Sequence, residues 1–395
     1  MSQLFAELFL DSCNGLLAEG RLRIKDVIDL FSRSGYVTFV QLVCFVCIII
    51  KLCHLYPNMW PLPGRKQRKY PLPKGSVIGH RGSCQEGLPE NTLCSFLDAV
   101  AAGVDIVELD VWLTKDKQIV VFHDDDLSRM TACAYKDRIN DMRYADLPEI
   151  VPGILQRNRI ADVVDGNRLK PYLTAEVKSR IKASKKSTDY LWSRIPLFEE
   201  VLAVLPEHIG IIIEVKDHQP EMIPLLHALI RKQTQARQNN LFWFSLQPGL
   251  NSNLRSFDAS VPCITSLPNI LRVLMCYALG IAPFIDLQCD VFGIDCRIID
   301  QERVDNEKSI KSLPQWAKNL IAYLFQGSPP QLLLLPYLYA MLRKKGVPVF
   351  FLGVDSIQFL HTAMRNGASA VLTDKPNMIC AYMNAQRLGM NEVSY

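Results

Sequence analysis

The sequence lacks features that mark several common protein classes. It has no Asn-x-Ser/Thr sequon, so nothing in it supports a glycosylated lumenal domain. No Gly-x-Ser-x-Gly motif is present, which removes the usual argument for a serine hydrolase. The net charge is only +4 over 395 residues, too small to favour nucleic acid as a partner. Of twelve cysteines, Cys44, Cys47 and Cys53 lie in or beside one apolar segment, where disulfides are not expected.

The N-terminal part of the chain carries the longest uncharged run. Residues 1–33 predict an amphipathic, helical segment. Ser34 to Ile50 has no charge, and Lys51 can extend towards lipid headgroups, so we predict a membrane helix over residues 34–56. The alternative is a buried core helix. Residues 57–74 form a basic, proline-rich linker that contacts anionic headgroups or serves as a solvated tether.

The expected location is therefore a membrane, either an endomembrane or the plasma membrane, with a single-pass anchor. Positive charges flank the apolar segment on both sides in near balance, with a slight tilt towards a cytosolic catalytic domain. The chain as a whole is 49% hydrophobic and, at 395 residues, long enough for one large core, consistent with a single barrel and extensions.

Three short apolar runs each lead into polar residues that can act in catalysis or metal binding. Val77 leads into His80, Val104 to Val107 into Glu108, and Ile119 to Phe122 into His123. Such Val- and Ile-rich runs between helical patterns predict buried parallel strands of an α/β fold. The carboxyl ends of parallel strands form the edge where active sites are built. A site is therefore expected at these strand ends.

The residue types indicate phosphoryl-ester cleavage better than acyl transfer. Glu108 and Asp110 are two apart on a strand and face the same way, so a cation is needed between them. Hard oxygen ligands favour Mg²⁺, Ca²⁺ or Mn²⁺. His80 and His123 can act as general acid and base, and Arg81 offers a planar fork of donors to a phosphate.

Each motif also has an ordinary structural interpretation. A Glu-x-Asp pair on a strand is more often a solvated face, and Gly after a strand is ordinary turn chemistry. The Pro89–Thr92 segment predicts a helix start, with Asn91 or Thr92 as its cap. The order and spacing of the motifs together favour the chemical interpretation.

The motifs HRG…PENT, ELDV-x-x-T-x-D and VVFHD-x-x-x-x-R-x-T resemble the glycerophosphodiester phosphodiesterase family. The resemblance runs from Ile78 to Thr131 and continues more loosely to Pro376. It implies a TIM (β/α)₈ barrel with His80 and His123 as acid and base. It also implies a divalent metal, Mg²⁺ or Ca²⁺, held by Glu108, Asp110 and a later glutamate. Arg81 would bind the phosphate.

Two glutamates compete for the third metal position that the resemblance implies. Glu214 ends a clean apolar strand, Gly210 to Ile213, and stands in a Glu-x-Lys pattern, whereas Glu176 lies in a polar, basic segment. Glu214 is the predicted ligand. Lys216 faces the same way and is predicted to contact the phosphate; the alternative is a salt bridge at the barrel rim.

The catalytic domain is predicted over residues 75–380, followed by a tail at 381–395. The segment at about 157–194 is expected to be an insertion or a mobile lid. A second insertion is expected at about 296–340, with apolar helices that either dip into a bilayer or pack on the barrel. Nine candidate strands compete for eight places. Where the family usually has Trp-Thr-Val-Asn the chain has Leu352–Asp355, which puts headgroup preference in doubt.

The expected function is metal-dependent hydrolysis of small glycerophosphodiesters to glycerol 3-phosphate and an alcohol. One alternative is lysophospholipase D activity on lysophospholipids or N-acylethanolamine phospholipids, favoured by the membrane helix and the apolar insertions. A second alternative is a catalytically inactive membrane scaffold. The expected partners are the small-molecule substrate and the lipid bilayer, and no nucleic acid.

Overall fold

The computed structural model describes residues 75–84, 87–132, 137–151, 189–278, 290–295 and 335–387, with isolated positions between 158 and 179 and between 282 and 319. The predicted amphipathic segment, membrane helix and linker at 1–74 lie outside these residues, as do most of both insertions and the end of the tail. Within the described ranges, no helix is both long enough and apolar enough to span a bilayer.

Strands and helices alternate along most of the described chain. The strands are β1 Ser76–His80, β2 Ile106–Leu113, β3 Ile119–Val121, β4 Gly210–Val215, β5 Leu241–Phe244, β6 Phe292–Asp295, β7 Val349–Leu352 and β8 Ala370–Thr373. The helices are α1 Leu93–Ala102, α2 Phe198–Val204, α3 Met222–Arg231, α4 Gln235–Asn239, α5 Pro248–Phe257, α6 Leu267–Ala278, α7 Pro336–Lys344, α8 Ile357–Arg365 and α9 Pro376–Arg387.

Seven strands form one curved parallel sheet in the order β5-β4-β2-β1-β8-β7-β6. Two isolated parallel bridges, Trp243 to Cys263 and Ile264 to Val291, connect β5 to the residue before β6. The Ile264 N–H donates to Trp243 O at 3.1 Å, and the Thr265 N–H donates to Val291 O at 2.9 Å. Eight parallel segments therefore follow one another in a TIM-barrel-like α/β fold.

The prediction that residues 119–122 form a parallel strand was wrong. β3 pairs antiparallel with β2, off the main sheet. The connection is a tight turn in which the Thr114 N–H donates to Gln118 O at 2.9 Å and Lys117 has φ +63°. A parallel neighbour needs a crossover of roughly a dozen residues, and this turn is too short for one. β3 is thus the surplus member of the nine candidate strands.

The barrel interior is packed by apolar side chains from nearly every strand. Its cluster includes Ile78 of β1, Ile106 of β2, Ile212 of β4 and Phe350 of β7, all at most 1% exposed. Burying each such side chain contributes about 1.5–3 kcal/mol. Because side chains alternate along a strand, residues two and four positions later face the same way. The interior face of these strands therefore continues directly into the polar residues at their carboxyl ends.

Candidate active site

Strand register brings the predicted residues of the site side by side. His80 on β1 is the partner of Glu108 on β2, and Asp110 on β2 is the partner of Glu214 on β4. Each follows the interior face of its strand, two or four residues after Ile78, Ile106 and Ile212. The polar residues are not all at strand ends as expected, because β2 continues to Leu113.

The three predicted metal ligands form a buried carboxylate cluster. One oxygen from each of Glu108, Asp110 and Glu214 lies within 4.8 Å of the others, and the residues are 2%, 0% and 7% exposed. Burial, together with repulsion from the other two carboxylates, raises the pKa of Glu108 to about 8. A cation bound between the three carboxylates would relieve their mutual repulsion.

The donor set of this cluster suits a hard divalent cation. Asp110 Oδ1 is buried and accepts no hydrogen bond within the described chain, although Lys216 Nζ forms an ion pair with it at 3.2 Å. Three carboxylates at this spacing match the all-oxygen preference of Mg²⁺ and Ca²⁺. The side chains present therefore fit the predicted metal, without choosing between the two ions.

Two cations flank the cluster. Arg81 Nε lies 3.4 Å from Asp110 Oδ2, and Lys216 Nζ lies 2.8 Å from Glu214 Oε1. Burial opposes ionisation of Asp110, but Lys216 and Arg81 hold the pKa of that carboxyl below its ordinary value. Lys216 thus makes the salt bridge that was the alternative prediction, and it does so beside the cluster.

The loop after β1 is shaped by backbone that few residues tolerate. Arg81 has φ +51° and its N–H donates to Glu108 Oε2 at 3.1 Å, while Gly82 has φ +84°. Asn91 has φ +57°, and its amide donates to Asp110 Oδ2 at 2.8 Å. Thr92, not Asn91, caps α1. Asn91 is a site residue that the sequence indicated only as a possible cap.

His80 is held by the far end of the chain. Asp374, just after β8, accepts a hydrogen bond from His80 Nδ1, and Nε2 lies 3.8 Å from Glu108 Oε2. Burial lowers the pKa of His80, but Asp374 and Glu108 outweigh it and the pKa is raised. Asp355 accepts hydrogen bonds from the Thr373 hydroxyl at 3.0 Å and from the Asp374 N–H at 2.7 Å. Asp355, which stands where the resembled family usually has asparagine, therefore fixes the turn that carries Asp374.

His123 has a matching arrangement on the β3 side. Asp124 Oδ1 accepts a hydrogen bond from His123 Nδ1 at 2.6 Å, and Arg129 binds both Asp124 and Glu90. Burial opposes ionisation of Asp124, but the hydrogen bonds from His123 and Arg129 lower the pKa of Asp124 to about 2. The charge of His123 also lowers the pKa of Asp110, which places this histidine within electrostatic reach of the cluster.

A cavity of about 980 Å³ opens beside the cluster. Glu214, Lys216 and His123 lie in its wall, and so do the apolar side chains of Trp112 and Leu246, of which Leu246 is 48% exposed. The remaining wall is mostly polar and acidic, with Asp124, Asp125, Asp126, Arg138, Asn140, Asp141, Asp217, His218, Gln219 and Gln247. The site therefore has room for a substrate larger than a phosphate.

The structure places all seven predicted site residues around this one region. Sequence reasoning missed Asn91, Asp124, Arg129 and Asp374 as partners, although the motifs that carried the resemblance contained the first three. Only Asp124 adjoins a predicted site residue, His123, and only the fold shows which atoms each of the four contacts. The rejected candidate, Glu176, lies outside the described residues.

Comparison with known proteins adds the family. Residues 80–247 match the Glycerophosphoryl diester phosphodiesterase family. Lysophospholipase D GDPD1 of Homo sapiens is 27% identical over 333 residues, covering 83% of this chain and 91% of that protein. The Rattus norvegicus protein of the same name is 27% identical over 308 residues, covering 78% and 85%. An Oleispira antarctica phosphodiesterase, solved with the product sn-glycerol-3-phosphate, aligns with a TM-score of 0.48 at 18% identity, covering 79% of this chain and 97% of that one.

The protein is an enzyme of the phosphodiesterase class of hydrolases. Residues 80–247 form a domain of the Glycerophosphoryl diester phosphodiesterase family.

Proposed function

We propose that this protein hydrolyses glycerophosphodiesters to glycerol 3-phosphate and an alcohol, by histidine acid–base catalysis at a metal-dependent site. The observation that carries the proposal is the register pairing of His80 with Glu108 and of Asp110 with Glu214. It sets a proton-transfer group beside a carboxylate cluster at one end of the barrel.

The carboxylate cluster supports metal dependence. Glu108, Asp110 and Glu214 would hold Mg²⁺ or Ca²⁺, which when bound offsets the charge that develops on the phosphate oxygens. Arg81 Nε lies 3.4 Å from Asp110 Oδ2, and Lys216 Nζ lies 2.8 Å from Glu214 Oε1. A phosphate bound at the cluster would therefore lie within reach of both donors.

The two histidine–aspartate pairs support acid–base catalysis. A carboxylate only accepts hydrogen bonds, so Asp374 and Asp124 each accept one from Nδ1–H and leave Nε2 of the ring to exchange a proton. One histidine takes a proton from the nucleophile, which is water or a neighbouring hydroxyl of the glycerol. The other donates a proton to the departing alcohol.

A second candidate function is lysophospholipase D activity. The human and rat relatives that carry this name match most of the chain. The exposed Leu246 and the side chain of Trp112 both lie in the cavity wall and offer apolar contact to an acyl chain. The proposal includes a membrane anchor at residues 34–56, which would hold the barrel next to lipid substrates.

The test uses the full-length, detergent-purified protein with Mg²⁺ or Ca²⁺ and a panel of glycerophosphodiesters and lysophospholipids, with products identified by mass. Glycerol 3-phosphate that requires metal and His80 is the expected product, and His80→Ala should lower turnover by about 100-fold or more. His361→Ala, which removes a surface histidine, is the control. Lysophosphatidic acid as the product would favour the second candidate. No product from either class would contradict both and favour the scaffold.

A further inference from the structure

A second set of potential metal ligands surrounds His80. A ring nitrogen of His80, the sulfur of Cys84 and a carboxylate oxygen of Asp374 all lie within 4.8 Å of one another. Cys84 follows the loop after β1, and its thiol donates to Asp374 Oδ1 across 3.6 Å. Cys84 has no part in the proposed reaction. The set combines nitrogen, sulfur and oxygen, whereas the carboxylate cluster offers oxygen alone.

We propose that His80, Cys84 and Asp374 bind a thiophilic divalent cation such as Zn²⁺, and that this cation inhibits the enzyme. A thiolate with an imidazole and a carboxylate is a donor set that Zn²⁺ accepts in tetrahedral geometry, and that Mg²⁺ and Ca²⁺ disfavour. The same active site therefore offers one position for the activating hard ion and another for an inhibitory soft ion.

The spacing of the ligand atoms fits this proposal. Zinc binds protein ligands at about 2.0–2.3 Å, which puts two ligands of a tetrahedral ion roughly 3.5 Å apart. The Cys84 Sγ to Asp374 Oδ1 separation is 3.6 Å, and no pair in the set exceeds 4.8 Å. His80 Nδ1 and Asp374 Oδ1 share a hydrogen bond and lie closer than two zinc ligands, so these two side chains separate when the ion replaces the shared proton. Three protein ligands leave a fourth position for water or for a phosphate oxygen.

Binding exchanges protons for the metal. The Cys84 thiol loses its proton to solvent. The proton that His80 Nδ1 donates to Asp374 passes to solvent if the ring is charged, or to Nε2 if the ring is neutral. Burial, together with the charge of Asp374, raises the pKa of the Cys84 thiol, so the thiol is protonated at neutral pH. Only a cation with high affinity for sulfur displaces that proton, which excludes Mg²⁺ as a competitor at this position.

Inhibition follows from the loss of His80 and rests on the proposed function. A cation on Nδ1 replaces the hydrogen bond to Asp374 and prevents the ring from accepting a further proton. The metal-binding part of the proposal stands without that function, because it depends only on the three side chains.

The binding test uses Co²⁺ as a spectroscopic substitute for Zn²⁺ on the purified full chain. The wild type should show a thiolate-to-cobalt charge-transfer absorption that Zn²⁺ removes. Cys84→Ser should weaken this absorption relative to the wild type. Cys380→Ser, which removes a buried thiol on α9, should leave its intensity unchanged. Cys84→Ala is the second variant, and thermal unfolding of each variant checks that the barrel is folded. An unchanged spectrum in both folded Cys84 variants would overturn the proposal.

The inhibition test measures hydrolysis in Mg²⁺ against increasing Zn²⁺, each variant relative to its own zinc-free rate. Half-inhibition of Cys84→Ser should require about tenfold or more Zn²⁺ than that of the wild type. Raising Mg²⁺ should not restore the wild type, since it would relieve only displacement at the carboxylate cluster. Equal inhibition of wild type and Cys84→Ser overturns the inhibitory role. A Cys84-dependent spectrum in a protein without hydrolytic activity would contradict the proposed function and leave the zinc site supported.

Discussion

At the level of single residues, each histidine of the site has its Nδ1 held by an aspartate, and the two aspartates have different origins in the chain. Asp374 follows β8, whereas Asp124 is the immediate neighbour of His123. Both pairings fix the ring orientation and the nitrogen that carries the proton. If the histidines exchange protons with substrate and product, loss of either aspartate affects turnover more than substrate binding.

We predict that Asp374→Asn lowers kcat by about 100-fold or more with KM changed by no more than a few fold, because an amide stabilises the wrong tautomer of His80. Steady-state hydrolysis with the preferred substrate measures both constants. Asp258→Asn is the matched control, since Asp258 accepts from His227 at 2.8 Å in a pair outside the site. Equal kcat in Asp374→Asn and wild type would show that Asp374 does not position His80.

The carboxylate cluster gives a second prediction at this scale. Glu214→Gln should weaken Mg²⁺ or Ca²⁺ binding by about tenfold or more, because it removes one of three anionic ligands. Titration calorimetry measures the affinity, and the rise in melting temperature with added metal should shrink in parallel. Glu176→Gln should change neither. The reverse result would identify Glu176 as the third ligand.

At the level of elements, the contact between the β1 loop and α1 sets the position of Arg81. Gly82 has φ +84°, and a Cβ there would lie 2.5 Å from Ser95 Oγ and 2.6 Å from Ser95 C. Ser95 Oγ in turn donates to Arg81 O at 3.0 Å. The first turn of α1 therefore packs directly against the loop that carries Arg81.

We predict that Gly82→Ala destabilises the protein by about 2–4 kcal/mol, since it adds a backbone clash to a strained φ. Gly103→Ala is the control, because Gly103 ends α1 with φ +98° but a Cβ there meets nothing within 4 Å. It should cost about 1–2 kcal/mol, from the backbone conformation alone. Urea unfolding of both variants gives the difference, and equal losses would contradict the close packing at Gly82.

At the level of the whole molecule, the sheet becomes a ring through the short segment around Cys263 and Ile264. Thr265 completes this connection: its hydroxyl donates to Val291 O at 3.1 Å and accepts from the Gly293 N–H at 2.9 Å. Asn251 links the other side, with its carbonyl accepting from the Ser245 N–H at 2.9 Å. Side chains thus supply hydrogen bonds that a longer strand would supply from its backbone.

We predict that Thr265→Val lowers the free energy of unfolding by about 1–3 kcal/mol, because the buried Gly293 N–H loses its acceptor. Thr265→Ser keeps the hydroxyl and loses only a methyl group, about 0.8 kcal/mol. Chemical denaturation of the two variants under the same conditions measures the difference. A valine variant as stable as the serine variant would mean that this hydroxyl contributes nothing to closing the barrel.

The sequence by itself determined most of the strands and the residue types of the site. Val- and Ile-rich runs located β1, β2, β4 and β8, because buried parallel strands are apolar on both faces. Spacing put Glu108 and Asp110 on one face, and the clean strand before Glu214 separated it from Glu176. These are local patterns, and local patterns can be recognised without knowing what packs on them.

Tertiary structure decided everything that depends on register and on distant parts of the chain. Asp374 lies 294 residues after His80, and only the β1–β8 pairing brings them together. β3 is an equally apolar run, so its antiparallel pairing could not be seen in composition; the short turn at Thr114 decides it. The contact of Asn91 with Asp110 likewise follows from how the loop folds back over the strand ends. Which side chains meet is a property of the closed barrel, because strand register sets distances that sequence spacing does not contain.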